Sequence, residues 1–436
     1  MDDKTTRQVL KAQTNRWLTF LVLVFSGGVV YKLSSLKDAF YVPMQTFMGL
    51  SHTDIGLALS VYGAVQTFGL FFGVYLCDRF SKKHMIGWSL IGIALTGLYI
   101  ATFPPVRGFL LSFGVLAFLG EVTYWPVLLK AVRLTGTDEE QGRLFGLLEM
   151  GRGVVDTVVA FSALGIFRAM GENAAGLRSA ILFFSGMTAL AGVLCLWFVP
   201  NDKISTVDKS GKEIGANKAA WNGMWEALKS VEIWAVSLNG FMVYCVYCGL
   251  TYFIPFLSDI YKMPVTLVGA YGIINQYGLK MVGGPLGGFI SDKVFKSPSK
   301  YMRVAFVVAA AAMIGFIHLP HQSMSVYAGM AATLGFGAII FTMRAVFFAP
   351  MGEVRVPRRI SGAAMAIGCI VIYLPNVFAY TLYGSMLDRY PVSTYGMQGY
   401  RYVFYIMAAF AAAGFFAAQF LCRCVRKKQA EPAAEE

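Results

Sequence analysis

Twelve apolar runs, each about twenty residues or longer, leave this chain few ways to fold. They occupy 17–46, 55–77, 85–103, 108–131, 144–167 and 180–200, then 233–257, 266–290, 303–320, 325–350, 361–387 and 401–422. About 20 mostly apolar residues suffice for a helix to cross roughly 30 Å of hydrocarbon. The runs therefore predict an all-α membrane protein with twelve transmembrane helices in two sets of six. Composition agrees: 57% hydrophobic and 14% charged residues, at a mean hydropathy of +0.59, exclude a soluble enzyme and a disordered chain.

A net charge of +13 would suggest nucleic acid in a soluble protein, so the placement of the charges decides. Following the chain from side to side, and counting Lys130, Arg303 and Arg401 at run ends with their adjoining loops, twenty-six Lys and Arg fall on the side of the N-terminus and six on the other. By the positive-inside rule both termini and the 201–232 stretch are expected in the cytoplasm. The basic balance then reflects topology and headgroup contact, with no nucleic-acid surface. The first sixteen residues are polar and carry Lys4, Arg7, Lys11 and Arg16, which argues against a cleavable signal peptide. The sequence has no Asn-x-Ser/Thr acceptor, which favours a bacterial cytoplasmic (inner) membrane over a secretory-pathway source. Seven scattered cysteines imply no disulfide framework, and Cys245-x-x-Cys248 sits in an apolar run without a second pair, so it reads as packing.

The halves look like copies of one another. Asp78-Arg79 closes the second run in Gly73-Val-Tyr-Leu-Cys-Asp-Arg-Phe-Ser-Lys-Lys83, and Asp292-Lys293 closes the eighth in Gly288-Phe-Ile-Ser-Asp-Lys-Val-Phe-Lys296. Asp78 meets Asp292, and Lys130 meets Arg344, at the same offset of 214 residues; Phe40-Tyr-Val-Pro43 meets Tyr252-Phe-Ile-Pro255 at 212. Such duplication of a six-span unit is expected of secondary transporters. The domains expected are two pseudo-symmetric six-helix bundles, 1–200 and 233–436, joined by a cytoplasmic linker over 201–232. Trp221, Trp225 and Leu228 share one face there and suggest an interfacial helix.

On these residues the chain resembles the major facilitator superfamily over essentially its whole length. The family's loop signature, Gly-x-Leu-Ala-Asp-Arg-x-Gly-Arg-Lys, finds Leu76, Asp78, Arg79, Lys82 and Lys83 in register, with Gly73 displaced by one and Ser81 replacing the internal glycine. Gly288, Asp292 and Lys296 fit the weaker second copy. The resemblance implies a cytoplasmic latch involving Asp78, Arg79, Arg133 and Asp292, and a cavity lined by spans one, four, seven and ten. The drug/proton-antiporter signature is absent from 144–167, and no substrate branch is inherited.

Ionisable groups inside spans are expensive and are functional suspects by default. The cations are Lys32, Lys130, Arg152, Lys280 and Arg344, and the acids are Asp38, Glu121, Glu149 and Asp156. Lys32 and Lys280 lie near the centres of their runs and form the best anion-binding pair, one from each half. Gln276 and Lys280, four apart beside Asn275 and Tyr277, can hold an oxygen-rich anion through charge-assisted hydrogen bonds. Either lysine can instead be paired with an acid from another span. Lys130 and Arg344 suit a pathway, snorkelling or gate pairing equally. Glu149, Arg152 and Asp156 lie on one helical stripe and suggest a gating or structural network. Glu121, the most central acid, leads for proton coupling, with Asp38 second. Tyr124, Trp125 and Asn376 are further ligand candidates, alongside Tyr244, Tyr247, Tyr373 and Tyr380.

No Walker-type phosphate loop, His-Glu-x-x-His or Gly-x-Ser-x-Gly occurs, and the four histidines sit at span ends or in loops. The expectation is therefore neither an enzyme nor a metal or cofactor protein. It is a secondary active transporter, functional as a monomer, for a small polar organic anion, moved by alternating access with proton symport. The alternatives are a neutral sugar or polyol carrier and a transporter-like membrane sensor.

Overall fold

The computed structural model describes residues 3–79, 81–135, 141–200, 225, 227–356 and 361–430, without the side chains of 3–15, 70–79, 133–134, 141–143, 361–363 and 366. Every regular element among them is helical. In lipid a helix satisfies its own backbone polar groups, so apolar runs of this length have no better conformation. Eight helices among the described residues are individually long and apolar enough to cross a bilayer, among them Val106–Val132, Leu144–Ala169, Val231–Tyr261 and Val326–Val346.

Four further helical stretches complete the twelve spans. Span one runs as Asp3–Val29, breaks, and resumes as Leu36–Met48; spans two and three are His52–Arg79 and Lys82–Ile100. Span eight is a composite of Val265–Ile273, a π-helical turn Ile274–Gly278, and Leu279–Phe289. Asn275, Gln276 and Lys280 make this stretch the least apolar of its half. Span four is composite too, with a π-helical Phe118–Tyr124 between Val106–Ala117 and Trp125–Thr135. A π turn inserts a residue into the helical ladder and re-aims the side chains around it; such turns are frequent at functional sites.

Helix starts are capped where loops return to a span. Asn173 accepts from Gly176 N at 2.9 Å, and Ser297 and Ser325 cap Pro298–Ile317 and Val326–Val346 in the same manner. Glu353 reinforces the second of these caps, accepting from the Ser297 hydroxyl at 2.5 Å and from Ser299 N at 2.9 Å.

The chain forms two compact units, Met1–Gly49 with Phe68–Thr206, and Leu50–Thr67 with Val207–Glu436. In the first, Gly27 and Gly28 let span one close on span five: a Cβ at Gly27 would stand 2.8 Å from Arg152 Cδ, and one at Gly28 2.6 Å from Val155. In the second, residues 50–67 pack against the helix Pro375–Arg389. Cβ atoms at Gly56 and Gly63 would lie 2.5 Å from the Tyr380 carbonyl oxygen and from Asn376. Asp388 accepts from His52 N at 3.1 Å and Thr53 N at 2.6 Å, satisfying two of the amides that a helix start leaves open. The second unit also holds an aromatic core, with Phe253, Phe256, Phe316 and Phe404 in edge-to-face or tilted contact at 5.2–5.6 Å.

Candidate functional site

In the first unit the break in span one places its lysine. Residues 30–35 form turns, closed by Lys32 N to Val29 O at 3.1 Å and Ser35 N to Tyr31 O at 2.9 Å. Lys32 is 2% exposed. Its Nζ forms an ion pair with Asp156 of span five and donates to the Asp156 carbonyl oxygen at 3.0 Å. Asp38, buried in the resumed helix, pairs with Lys37 at 2.5 Å.

One turn back along span five, Arg152 donates to Gly27 O at 3.0 Å and to Glu149 Oε1 at 2.6 Å. Its guanidinium stacks over Trp125 at 4.4 Å and reaches Tyr31 at 5.9 Å. Tyr124 is fully buried, and its hydroxyl shares a 2.7 Å hydrogen bond with Ser26. Glu121 sits half-buried in the π-helical turn of span four. The unit thus gathers Lys32 with Asp156, and Glu149 with Arg152 and Trp125; Tyr124 serves the contact between spans one and four.

The second unit contains a cavity of about 340 Å³ lined by Tyr244, Lys280, Gly284, Phe341, Arg344, Ala345, Phe347 and Tyr373. Among the described residues two cations and four aromatic rings line it, with no carboxylate. Arg344, in the last turn of span ten, lies over the Tyr247 ring at 4.2 Å, with Tyr244 at 5.5 Å and Phe341 at 6.0 Å. Its Nε donates to the Tyr244 hydroxyl at 3.3 Å. The rings brace one another: Tyr244 meets Tyr373 at 4.9 Å and Phe347 at 5.8 Å, and Tyr247 meets Phe341 at 5.7 Å. Cation–π contact holds a guanidinium by its face, worth about 0.5–2 kcal/mol, and leaves its donor edge available.

Span eight sends its polar residues two ways. Lys280 is exposed on the cavity side, whereas Gln276 is 7% exposed and accepts from the Tyr247 hydroxyl at 3.3 Å. The π-helical turn between them breaks the simple four-residue relation that would put both on one face. Asn275, on that turn, is fully buried with neither amide atom hydrogen-bonded among the described residues. Asn376 lies apart from the cavity lining, accepting from Cys248 Sγ at 3.4 Å and donating to Gln66 Oε1 at 3.4 Å.

Among the expected latch residues, Asp292 is exposed in a π-helical turn, Ile290–Val294. The side chains of Asp78, Arg79 and Arg133 lie outside the described residues. Of the pathway, snorkelling and gate-pairing roles open to Arg344 from the sequence, its place in the cavity lining fits the pathway role. The available signal was an in-span arginine with two tyrosines three apart on span seven.

Similar proteins agree with this architecture. The chain is 48% identical over 422 residues to the inner membrane protein YihN of Escherichia coli (strain K12), covering 97% of this chain and 99% of that protein. It is 29% identical over 382 residues to the inner membrane protein YqcE of the same strain, covering 87% and 89%. Among solved structures, a bacterial homolog of the human lysosomal transporter Spinster, inward-facing and unoccupied, superposes with a TM-score of 0.75 at 16% identity, covering 97% of this chain and 99% of that one. The nucleoside transporter NupG gives 0.70 at 14% identity, covering 94% and 99%. These two likenesses speak to the fold alone. The sequence pattern of the Major Facilitator Superfamily matches residues 19–380, and with twelve helical spans already in place the chain belongs to that family.

Proposed function

We propose that this multi-pass membrane protein is a secondary active transporter of a small polar organic anion, working by alternating access in a bacterial inner membrane with both termini in the cytoplasm. One observation carries the anion: the cavity of the second unit is lined by Lys280 and Arg344 and by no carboxylate. A positive, largely aromatic cavity lowers the free energy of a bound anion, whereas a neutral polyol would give the Arg344 guanidinium no opposite charge. Proton symport is the companion reading, with Glu121 as the coupling acid. It is supported by a half-buried carboxylate within a span, on a π-helical turn.

The names of the two relatives support the inner-membrane placement. The domain boundaries proposed are 1–200, a 201–232 linker and 233–436. The test is uptake into sealed proteoliposomes of labelled organic anions and a neutral sugar, with and without an imposed pH gradient. Anion accumulation that follows the gradient is the expected result. Uptake of the neutral sugar alone would replace the anion reading, and ligand binding without uptake would favour a sensor.

A further inference from the structure

Arg344 is held in an unusual way for a cation inside a membrane span. Its face is covered by Tyr247 and its Nε is engaged by the Tyr244 hydroxyl. Among the described residues no carboxylate pairs with it, and its Nη1 and Nη2 groups donate no hydrogen bond. The side chain lines the cavity. A guanidinium fixed by its face and one edge presents its remaining donors as a planar fork, the geometry that grips two oxygens of one carboxylate or phosphoryl group.

The rest of the lining constrains the body of the ligand. Apart from Lys280, Arg344 and the tyrosine hydroxyls, the walls offer Phe341, Phe347, Gly284 and Ala345, with no Asn, Gln, Ser or Thr. A chain of hydroxyls entering this space would lose water and find only the two cations and the tyrosine hydroxyls to replace it, at a cost for each unmatched group. A flat ring loses little and gains stacking on Tyr244, Tyr373 or Phe347. At about 30 Å³ per water molecule, 340 Å³ corresponds to roughly eleven waters, which suits a single substituted ring.

We propose that this cavity binds a small ring-bearing acid, an aromatic carboxylate or aryl phosphate. Its anionic group docks on the Nη edge of Arg344, and its ring lies between the tyrosine and phenylalanine walls. Arg344 is the anchoring residue and Lys280 contributes charge from the rim. This rests on the anion reading and narrows it.

Gly284 supplies a control that does not touch the charges. A Cβ built there meets nothing within 4 Å, so a larger side chain has room to fold and occupies the space the ligand needs. Gly284→Leu is expected to melt like the wild type without ligand and to lose binding.

The experiment is calorimetric titration and thermal-shift measurement on the purified full-length protein. Probes are 4-hydroxybenzoate, phenyl phosphate, lactate, gluconate, galacturonate and neutral benzamide. Wild type should bind one or both aromatic anions at least about tenfold more tightly than lactate, gluconate, galacturonate or benzamide. The two aromatic probes distinguish carboxylate from phosphate. Arg344→Gln should weaken that binding by about tenfold or more, Arg344→Lys should restore part of it, and Lys280→Gln should weaken it less than Arg344→Gln. Equal or tighter binding of lactate, gluconate or galacturonate would overturn the ring and leave the anion reading standing. Unchanged affinity in Arg344→Gln, or no binding of either aromatic anion, would overturn the site. Benzamide binding as tightly as the anions would overturn both readings.

Discussion

The Lys32–Asp156 pair yields a prediction whose asymmetry follows from burial. The lysine side chain is 1% exposed and the aspartate side chain 22%, so losing either partner should not cost the same. Asp156→Asn leaves an ammonium deep in the protein facing an amide and a backbone carbonyl, with the Asp38 charge in its surroundings. Breaking a fully buried pair costs about 3–5 kcal/mol, and the retained carbonyl contact brings the expectation to about 3 kcal/mol. Lys32→Met leaves a carboxylate that water still reaches over a fifth of its surface, for which about 1–2 kcal/mol is expected. The double variant should cost less than the sum of the two, giving a coupling on the order of 2 kcal/mol. The assay is reversible unfolding in mixed micelles of wild type, both single variants and the double variant. Additive costs would show that the pair does not form in solution, and equal single-site costs would refute the asymmetry argued from burial. Lys32 would then return to the list of cargo-binding residues.

Three further outcomes are expected. Gly56→Ala should destabilise the second unit by about 1–3 kcal/mol, because its Cβ would press on the Tyr380 backbone, which cannot rotate away; wild-type unfolding would refute the close approach. Glu121→Gln should abolish pH-driven accumulation in proteoliposomes while leaving cargo exchange intact, and an unaltered pH dependence would remove Glu121 from the coupling role. His321, in the turn after Pro298–Ile317, should make the wild type less stable in acid: burial depresses its pKa, so the unfolded chain binds the extra proton first. That stability is present above the ordinary histidine value of about 6.5 and is lost as pH falls through the depressed one. His321→Gln should flatten melting temperature against pH over this window, and an unchanged slope would place the titration elsewhere.

The second unit shows why His321 behaves this way. Its Nε2 faces the Phe316 carbonyl oxygen at 2.8 Å, so that nitrogen must carry the proton, and Nδ1 accepts from the Tyr261 hydroxyl at 2.7 Å. Rings of Phe256 and Phe316 lie at 5.3 and 4.8 Å, and Arg401 adds unfavourable charge. None of this is visible in a sequence that shows only a histidine after a proline at a span end.

The spans, the repeat and the inventory of in-span charges were legible because each depends on composition over many residues or on a long offset. What was not legible depends on single contacts. Asp156 as the partner of Lys32 needs the break at residues 30–35, and no proline marks it. The π-helical turns of spans four and eight leave no periodic signature, yet they separate Gln276 from the cavity that Lys280 lines. The Arg344 position was hidden by its place in a last helical turn, where a cation facing the headgroups is the ordinary outcome.

Those contacts divide the labour between the units in a way that bears on transport. In the first, the in-span cations Lys32 and Arg152 each have a carboxylate, Asp156 and Glu149. An entering anion would have to displace a carboxylate already bound, exchanging one ion pair for another with little net gain. In the second, Arg344 is held by aromatic faces and a tyrosine hydroxyl, so an anion gains a guanidinium without displacing a competitor. A ring-held arginine also keeps its geometry when the cargo leaves, because the contacts that fix it are not the contacts the cargo uses. A carrier has to bind and release on every cycle, and release is easier when the empty site needs no rearrangement. The asymmetry therefore favours cargo recognition in the second unit. Under the function proposed above, the carboxylates of the first unit would be left for coupling or for stability, and the double-variant cycle at Lys32 and Asp156 measures how much of the latter they supply.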